Sequence, residues 1–152
     1  MTTQPEDLKG LTLLGRKAQP SKKLEVFPNR APGRYYLVTL ETREFTCVCP
    51  VTGQPDFATL RVDYVPDEKI LESKSFKLYL WSYRNEGVFH EHVVNVILDD
   101  LVKALGPHFI RVSGAFHVRG GIAITVTAEH VRTPAAREAV KDMLVPPRVL
   151  LP

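Results

Sequence analysis

Two residues of the segment CVCPVTGQPD have the chemistry of a covalent reaction. Cys49 precedes a proline, which favours extended backbone at the cysteine and would turn its sulfur outward. A cysteine attacks as the thiolate, so it needs a neighbour that takes its proton. Asp56 follows in a loop that could curl back, and its carboxyl group could accept that proton and pass it to a substrate. The spacing alone equally allows a buried cysteine and a turn aspartate.

The segment 90–92 contains two histidines and a glutamate, but its spacing differs from that of a zinc-binding helix. Adjacent helical residues do not face one site, and the HExxH arrangement is absent. We therefore predict no metal site. A metal held jointly by Cys47, Cys49, His90 and His92 stays an alternative. For Cys47, which would share a strand face with Cys49, we expect packing, with a redox role as the other possibility.

Glu91 has a more specific use than a metal ligand. It lies at the predicted start of a helix, where the macrodipole favours an anion. A carboxylate accepts two parallel hydrogen bonds, and the guanine edge offers such a pair through N1–H and the 2-amino group. Glu91 is thus a candidate purine anchor, and the alternative is a helix-start acid without a ligand.

Three basic residues are candidates for binding nucleotide phosphates. Lys74 and Lys77 lie three residues apart and would share one helical face, and Arg119 precedes two glycines. A solvated helix face and a strand-joining turn are the alternatives. The sequence contains neither a GxGxxG motif after a strand nor a P-loop. A nicotinamide cofactor would therefore bind outside a Rossmann unit.

The hydrophobic pattern predicts the order ββααββ. The predicted elements are strands at 34–45 and 58–65, helices at 73–84 and 90–105, and strands at 109–118 and 122–130. Ser73 or Ser75 is the expected N-cap of the first helix. Four antiparallel strands backed by two helices leave two exposed edges, which favours closure into a barrel by neighbouring copies. We expect a homo-oligomer with active sites near subunit contacts.

The composition is that of a folded domain. The chain has 152 residues, of which 44% are hydrophobic and 24% charged. Its net charge of +3 is too small to indicate nucleic-acid binding. No stretch reaches the roughly 20 apolar residues of a membrane span, and MTTQPEDLKG lacks an apolar signal core. We expect a cytoplasmic protein with two free thiols and neither nucleic acid nor membrane as a partner.

The chain divides into three predicted parts. Residues 1–33 form an arm rich in proline, residues 34–131 form the domain, and residues 132–152 form a tail. The tail could contain a short helix from Pro134, ended by the two prolines at 146 and 147.

Taken together, several motifs resemble one family, the single-domain 7-cyano-7-deazaguanine reductases of queuosine biosynthesis, a pathway of tRNA modification. The matching segments are GLTLLG (10–15), CPVTGQPDFA (49–58), ESKSFKLYLWSYRNEGVFHE (72–91) and RGGI (119–122). The second and third segments together are highly specific. The resemblance extends from about residue 10 to about residue 130.

The resemblance implies an α+β tunnelling fold, with ββααββ units that close into barrels as stacked pentameric rings. It also implies reduction of a nitrile to a primary amine with two NADPH. By motif, Cys49 is the nucleophile that forms a thioimidate and Asp56 is the proton donor. The implied substrate-binding residues are Leu71, Glu72, Ser73, His90 and Glu91. The implied NADPH-binding residues are Lys74, Lys77 and Arg119.

Two features depart from the family pattern. Some members have a second cysteine just after the FHE motif, where this chain has His92-Val93, and the last 20 or so residues diverge. Two other functions stay as alternatives: a zinc-dependent cyclohydrolase acting on GTP with the same fold, and a non-catalytic oligomer that binds purines or pterins.

Overall fold

The computed structural model describes residues 18–145. Six strands and three α-helices occur in this part of the chain. They are β1 (Val26–Pro28), β2 (Val38–Val48), β3 (Pro55–Val65), β4 (Lys69–Leu71), α1 (Ser73–Trp81), α2 (His90–Leu105), β5 (Phe109–Arg119), β6 (Ile122–Val131) and α3 (Pro134–Ala139). No helix within this range is both long and apolar enough to cross a membrane.

Four long strands form one antiparallel sheet in the order β2-β3-β5-β6, and α1 and α2 pack on one of its faces. The predicted ββααββ order and the α+β class are confirmed. The boundaries of the first hairpin differ from the prediction. Pairing continues through Cys47↔Asp56 to Val48↔Pro55, so Asp56 lies in a strand and not in a loop. The prolines suggested an early end, but Pro55 is the first residue of β3, where a missing N–H is tolerated.

A second, two-stranded sheet was absent from the prediction. β1 pairs antiparallel with β4 through Val26↔Leu71, Phe27↔Ile70 and Pro28↔Lys69. Strands of three residues are too short to show an alternating pattern in the sequence. Their pairing ties a part of the predicted arm to the segment that leads into α1.

The core lies between the sheet and the two helices. α2 covers the full predicted range and buries the predicted apolar positions, and it ends at Gly106, whose φ of 55° suits a helix C-terminus. The helix approaches β5 closely at Gly114, where a Cβ atom would lie 2.9 Å from Val94 Cγ2. α1 contributes Phe76 and Tyr79 to the same core.

The N-cap of α1 is Glu72, which makes the prediction of Ser73 or Ser75 wrong. The Glu72 carboxylate accepts hydrogen bonds from the N–H groups of Lys74 at 2.8 Å and Ser75 at 2.6 Å. These two bonds hold the pKa of Glu72 below its usual range. The Ser75 hydroxyl instead donates to the main-chain oxygen of Glu72 at 2.8 Å.

The opposite face of the sheet is mostly polar. Arg61 pairs with Asp63 at 2.8 Å, and Arg111 pairs with Glu129 at 2.6 Å. α3 covers one corner of this face, where Ala136 packs in a small apolar cluster. Within residues 18–145, β2 and β6 each pair on one side only, so both sheet edges are open. The GLTLLG segment and the prolines at 146 and 147 lie outside the described residues, and the three-part division of the chain stays a prediction.

Candidate active site

Residues 49–54, which we call the nucleophile loop, connect β2 to β3. The loop closes on itself, because Cys49 N–H donates to Gln54 O at 2.8 Å and Gly53 N–H donates to Cys49 O at 2.9 Å. Gly53 has a φ of 68°, a conformation that favours glycine. The sequence predicted a sulfur turned outward, whereas Cys49 is only 8% exposed.

The sulfur of Cys49 lies among hydrogen-bond donors. In order of effect, it accepts from the hydroxyl and the backbone N–H of Thr52, from the Arg119 side chain and from Val51 N–H. Together these donors lower the pKa of Cys49 to about 6, and desolvation opposes them only weakly. At neutral pH the residue is therefore a thiolate, the form that attacks electrophiles.

Asp56 is buried beside this loop and is held from two sides. Arg119 Nη1 donates to Asp56 Oδ1 at 2.7 Å, and His90 Nε2 lies 3.3 Å from Asp56 Oδ2. Arg119 thus contacts both Asp56 and Cys49. Two glycines with positive φ follow it, Gly120 at 61° and Gly121 at 78°, so β5 reverses into β6 immediately after Arg119.

Cys47 has a different environment from Cys49, although only one residue separates them. It lies opposite Asp56 in the sheet and is fully buried in the main core. Burial, with a smaller contribution from the Asp56 charge, raises the pKa of Cys47 to about 11. Cys47 therefore stays a protonated, packed thiol, as expected from the sequence, and both cysteines are free.

His90 is the first residue of α2, and its ring is fixed by stacking. The imidazole lies parallel to the Phe116 ring, with 3.8 Å between centroids. This packing directs Nε2 toward Asp56. His92 lies elsewhere, edge-on to Phe89. The segment 90–92 therefore brings one histidine to the site.

Glu91 lies beside His90 in the first turn of α2 and is exposed. Among residues 18–145, its carboxylate has no hydrogen-bond or ion-pair partner. Asn95 Nδ2 donates to its main-chain oxygen at 2.8 Å. The carboxylate is thus available to a ligand at the positive end of the helix dipole.

The other predicted substrate residues gather at the start of α1. Leu71 is buried, and its N–H donates to Tyr64 Oη at 3.1 Å, so its side chain belongs to the core. Glu72 caps α1, and Ser73 is exposed on a groove between α1 and β2. Within residues 18–145, no hydrogen bond or ion pair joins this group to Cys49 or Asp56.

The groove beside α1 has a volume of about 820 Å³ and is lined by both apolar and charged side chains. Lys77 lines it, and Lys74 is exposed one turn earlier on the same helix. These are the two lysines for which the sequence predicts binding to NADPH phosphates. Arg119 fits them less well, because its guanidinium group already contacts Asp56 and Cys49.

Two residues of the site were missed in the sequence. Thr52 supplies two donors to the Cys49 sulfur, and Phe116 supports the His90 ring. A hydroxyl residue three positions after a cysteine in a proline- and glycine-rich turn is a usable signal for the first. For the second, the sequence offers no local signal, because Phe116 and its partner His90 lie in different elements.

Among residues 18–145, no cluster of three or more His, Cys, Asp or Glu side chains has the arrangement of a metal site. Cys47, Cys49 and the two histidines of segment 90–92 do not converge.

Comparisons with known proteins agree with the motifs. The family model described as QueF-like protein matches residues 55–135. The chain belongs to this family. A relative from Syntrophus aciditrophicus, named NADPH-dependent 7-cyano-7-deazaguanine reductase, is 69% identical over 129 residues, which are 85% of this chain and 92% of the relative. A relative of the same name from Anaeromyxobacter sp. (strain K) is 62% identical over 77% of this chain and 96% of its own length.

A solved structure extends the likeness of this QueF-like chain to the fold. The apo form of an archaeosine synthase described as QueF-Like aligns with a TM-score of 0.58 and 30% identity. The alignment covers 61% of this chain and 91% of the other. The ββααββ arrangement with its antiparallel sheet is therefore the tunnelling fold.

The environment of Cys49 predicts a specific pH profile. Because its pKa is about 6, the rate of alkylation by iodoacetamide should rise as pH increases and reach half its plateau near pH 6. In Thr52→Val, which lacks the hydroxyl donor, the midpoint should move to higher pH. Thr52→Ser keeps the hydroxyl and should match the wild type. Mass mapping should find Cys47 unlabelled below pH 9, and a wild-type midpoint near pH 8.5 would contradict the prediction.

Proposed function

We propose that this protein reduces the nitrile of 7-cyano-7-deazaguanine to the aminomethyl product with NADPH, through a thioimidate on Cys49, as a step of queuosine biosynthesis. The observation that carries the proposal is the contact of one guanidinium group, that of Arg119, with both the Cys49 sulfur and the Asp56 carboxylate. A nucleophile and a proton-transfer group are thereby held side by side. Family membership and relatives up to 69% identical, named as this reductase, support the same reaction.

The first step is addition of Cys49 to the nitrile. The sulfur forms a bond to the nitrile carbon while one C–N π bond opens, and Asp56 passes to the nitrogen the proton that it accepted from the Cys49 thiol. The product is a thioimidate, whose carbon can accept a hydride. His90 Nε2, at 3.3 Å from Asp56, is placed to return a proton to that carboxylate. We assign Cys49 as nucleophile, Asp56 as proton donor and His90 as an assisting group.

Reduction requires two hydrides in succession, which NADPH supplies when bound. After the first, the Cys49 sulfur leaves and an imine forms, which water would hydrolyse to an aldehyde. The site must therefore exclude water between the two reductions. The near-complete burial of Cys49 and Asp56 supports such protection.

The substrate would be held by the start of both helices. Glu91 accepts the two donors of the guanine-like edge, with its exposed carboxylate at the N-terminus of α2. Ser73, Glu72 and the main chain of Leu71 contribute at the start of α1. Lys74 and Lys77 bind NADPH phosphates, and Arg119 assists from the side of the thiolate.

The active site is shared between copies in a ring-type oligomer of stacked pentamers. The open edges of β2 and β6 allow the sheet to continue into neighbouring chains and close as a barrel. The groove that contains Ser73 and Lys77 lies along the edge strand β2, apart from Cys49. A neighbouring copy could bring its own Cys49 to this groove.

The protein acts in the cytoplasm, in our proposal. A reducing compartment keeps both cysteines as free thiols, and the reaction requires Cys49 in this form.

The decisive experiment is intact-mass measurement after mixing the protein with the nitrile in the absence of NADPH. Wild-type protein should gain one substrate mass per chain, because the thioimidate persists without a hydride donor. Cys49→Ala should gain none. A wild type without adduct, under conditions in which the ligand binds, would show that the mechanism is wrong.

Asp56→Asn should slow adduct formation and leave ligand binding nearly unchanged. An amide cannot deliver the proton, and loss of general acid catalysis typically costs about 100-fold or more in rate. Stopped-flow absorbance follows the adduct, and equilibrium dialysis measures binding. Asp99→Asn, an exposed carboxylate on α2, is the control. If binding collapses together with the rate, Asp56 has a structural role instead.

Glu91→Ala should weaken ligand binding by about 1.5–3 kcal/mol, the usual contribution of hydrogen bonds to a charged group. Glu91→Gln should lose affinity too, since its amide presents donors to a ligand edge that also donates. Titration calorimetry measures both, preferably in the Cys49→Ala background to prevent the covalent step. An affinity equal to that of Asp99→Ala would remove Glu91 as the anchor.

Mixed oligomers test whether the site is shared. Cys49→Ala and Ser73→Trp chains should each be inactive alone, one without nucleophile and the other with a blocked groove. After unfolding and refolding together in equal amounts, about a quarter of sites would combine the intact half of each chain in a symmetric ring. NADPH oxidation should recover to that level. No recovery, with mixing verified by native mass spectrometry, would place the whole site in one chain.

A further inference from the structure

Gly87 lies directly against the residue that follows the nucleophile. A Cβ atom at Gly87 would be 3.2 Å from Pro50 Cα and 3.5 Å from Pro50 Cβ. Gly87 is not among the glycines with positive φ, so an alanine would be compatible with its backbone. The position therefore depends on the space that the missing side chain leaves and not on glycine's conformational freedom.

Residues 86–88, which we call the interhelical segment, hold the chain just before Cys49. Val48 N–H donates to Glu86 O at 3.0 Å, and Val88 N–H donates to Val48 O at 3.1 Å. These bonds make a parallel bridge between Val48 and Gly87. The segment is itself anchored to the turn that follows α1, because Glu86 N–H donates to Tyr83 O at 2.9 Å.

The contact with Pro50 adds a second fixed point to this bridge. Val48 and Pro50 flank Cys49, so the interhelical segment touches the chain on both sides of the nucleophile. The nucleophile loop closes on itself through Cys49, Gly53 and Gln54, so it would shift largely as one unit. A displacement of Pro50 by a few tenths of an ångström would move the Cys49 sulfur relative to Arg119, which belongs to another strand.

We propose that Gly87 is a positioning residue for Cys49, whose missing side chain lets the interhelical segment seat the nucleophile loop against Arg119. The role rests on the proposed function in that Cys49 is taken as the nucleophile. It goes beyond that function because Gly87 contacts neither the sulfur nor a substrate. The same segment leads into His90, whose imidazole lies beside Asp56. It would therefore also fix the position of Cys49 relative to His90.

The test compares Gly87→Ala with Gly33→Ala, a matched change at a glycine that has no atom within 4 Å of the added Cβ. The pH dependence of Cys49 alkylation by iodoacetamide is measured on both variants and the wild type. A merely structural role would leave this profile unchanged. We expect the midpoint of Gly87→Ala to rise from about pH 6 to about pH 7, which lowers the rate at pH 6 about fivefold. Gly33→Ala should match the wild type.

A second variant guards against a folding defect. If Gly87→Ala loses its cooperative thermal transition, Pro50→Gly replaces it, since that change removes the Pro50 ring, including the Cβ atom that faces Gly87, and loosens the loop. Its midpoint should also rise. A profile equal to that of the wild type, in whichever variant is folded, would overturn the positioning role.

The reaction with the nitrile distinguishes a failure of the positioning role from a failure of the proposed function. If the wild type forms the adduct but the variants have unchanged profiles, only the positioning role fails. If the wild type forms no adduct, the proposed function fails, and the alkylation profiles still decide whether Gly87 positions the thiolate.

Discussion

The buried carboxylate of Asp56 has a guanidinium nitrogen 2.7 Å from one oxygen and an imidazole nitrogen 3.3 Å from the other. A buried charge is costly unless it is paired and hydrogen-bonded, so both partners must be in place for the fold to tolerate it. Asp56 lies at the start of β3, Arg119 ends β5 and His90 begins α2. One desolvated charge therefore fixes the relative positions of three elements, and the candidate site lies where they meet.

The same arrangement accounts for the contrast between the two cysteines. Cys47 continues the strand into the core, where burial raises its pKa to about 11. Cys49 begins a turn, whose backbone N–H groups and Thr52 hydroxyl point at the sulfur and lower its pKa to about 6. The end of a strand thus separates an inert thiol from a reactive one. Arg119 extends its positive charge over both the thiolate and Asp56, so the two groups form one electrostatic unit.

The two helices supply residues to the candidate site from their N-terminal ends more than from their central turns. α2 places His90 and Glu91 at its N-terminus, one turned toward Asp56 and the other toward solvent. α1 is capped by the carboxylate of Glu72 and places Lys77 in an open groove. Between them, the interhelical segment contacts both neighbours of Cys49. Within residues 18–145 the sheet has two open edges, and the groove lies along one of them, strand β2.

The sequence by itself determined the ββααββ order, the full extent of α2, and the candidate residues Cys49 and Asp56, because alternation, helical periodicity and motif are local properties of the chain. It did not determine that β1 pairs with β4, since these partners are distant in sequence. The early start of β3 and the Glu72 cap of α1 are local features, but the prolines indicated a loop and serine is the more usual N-cap. Only the tertiary structure decided that Arg119 joins Cys49 to Asp56 and that Gly87 touches Pro50. Such contacts arise when a sheet register and a helix–sheet packing bring together residues more than 30 positions apart in the chain.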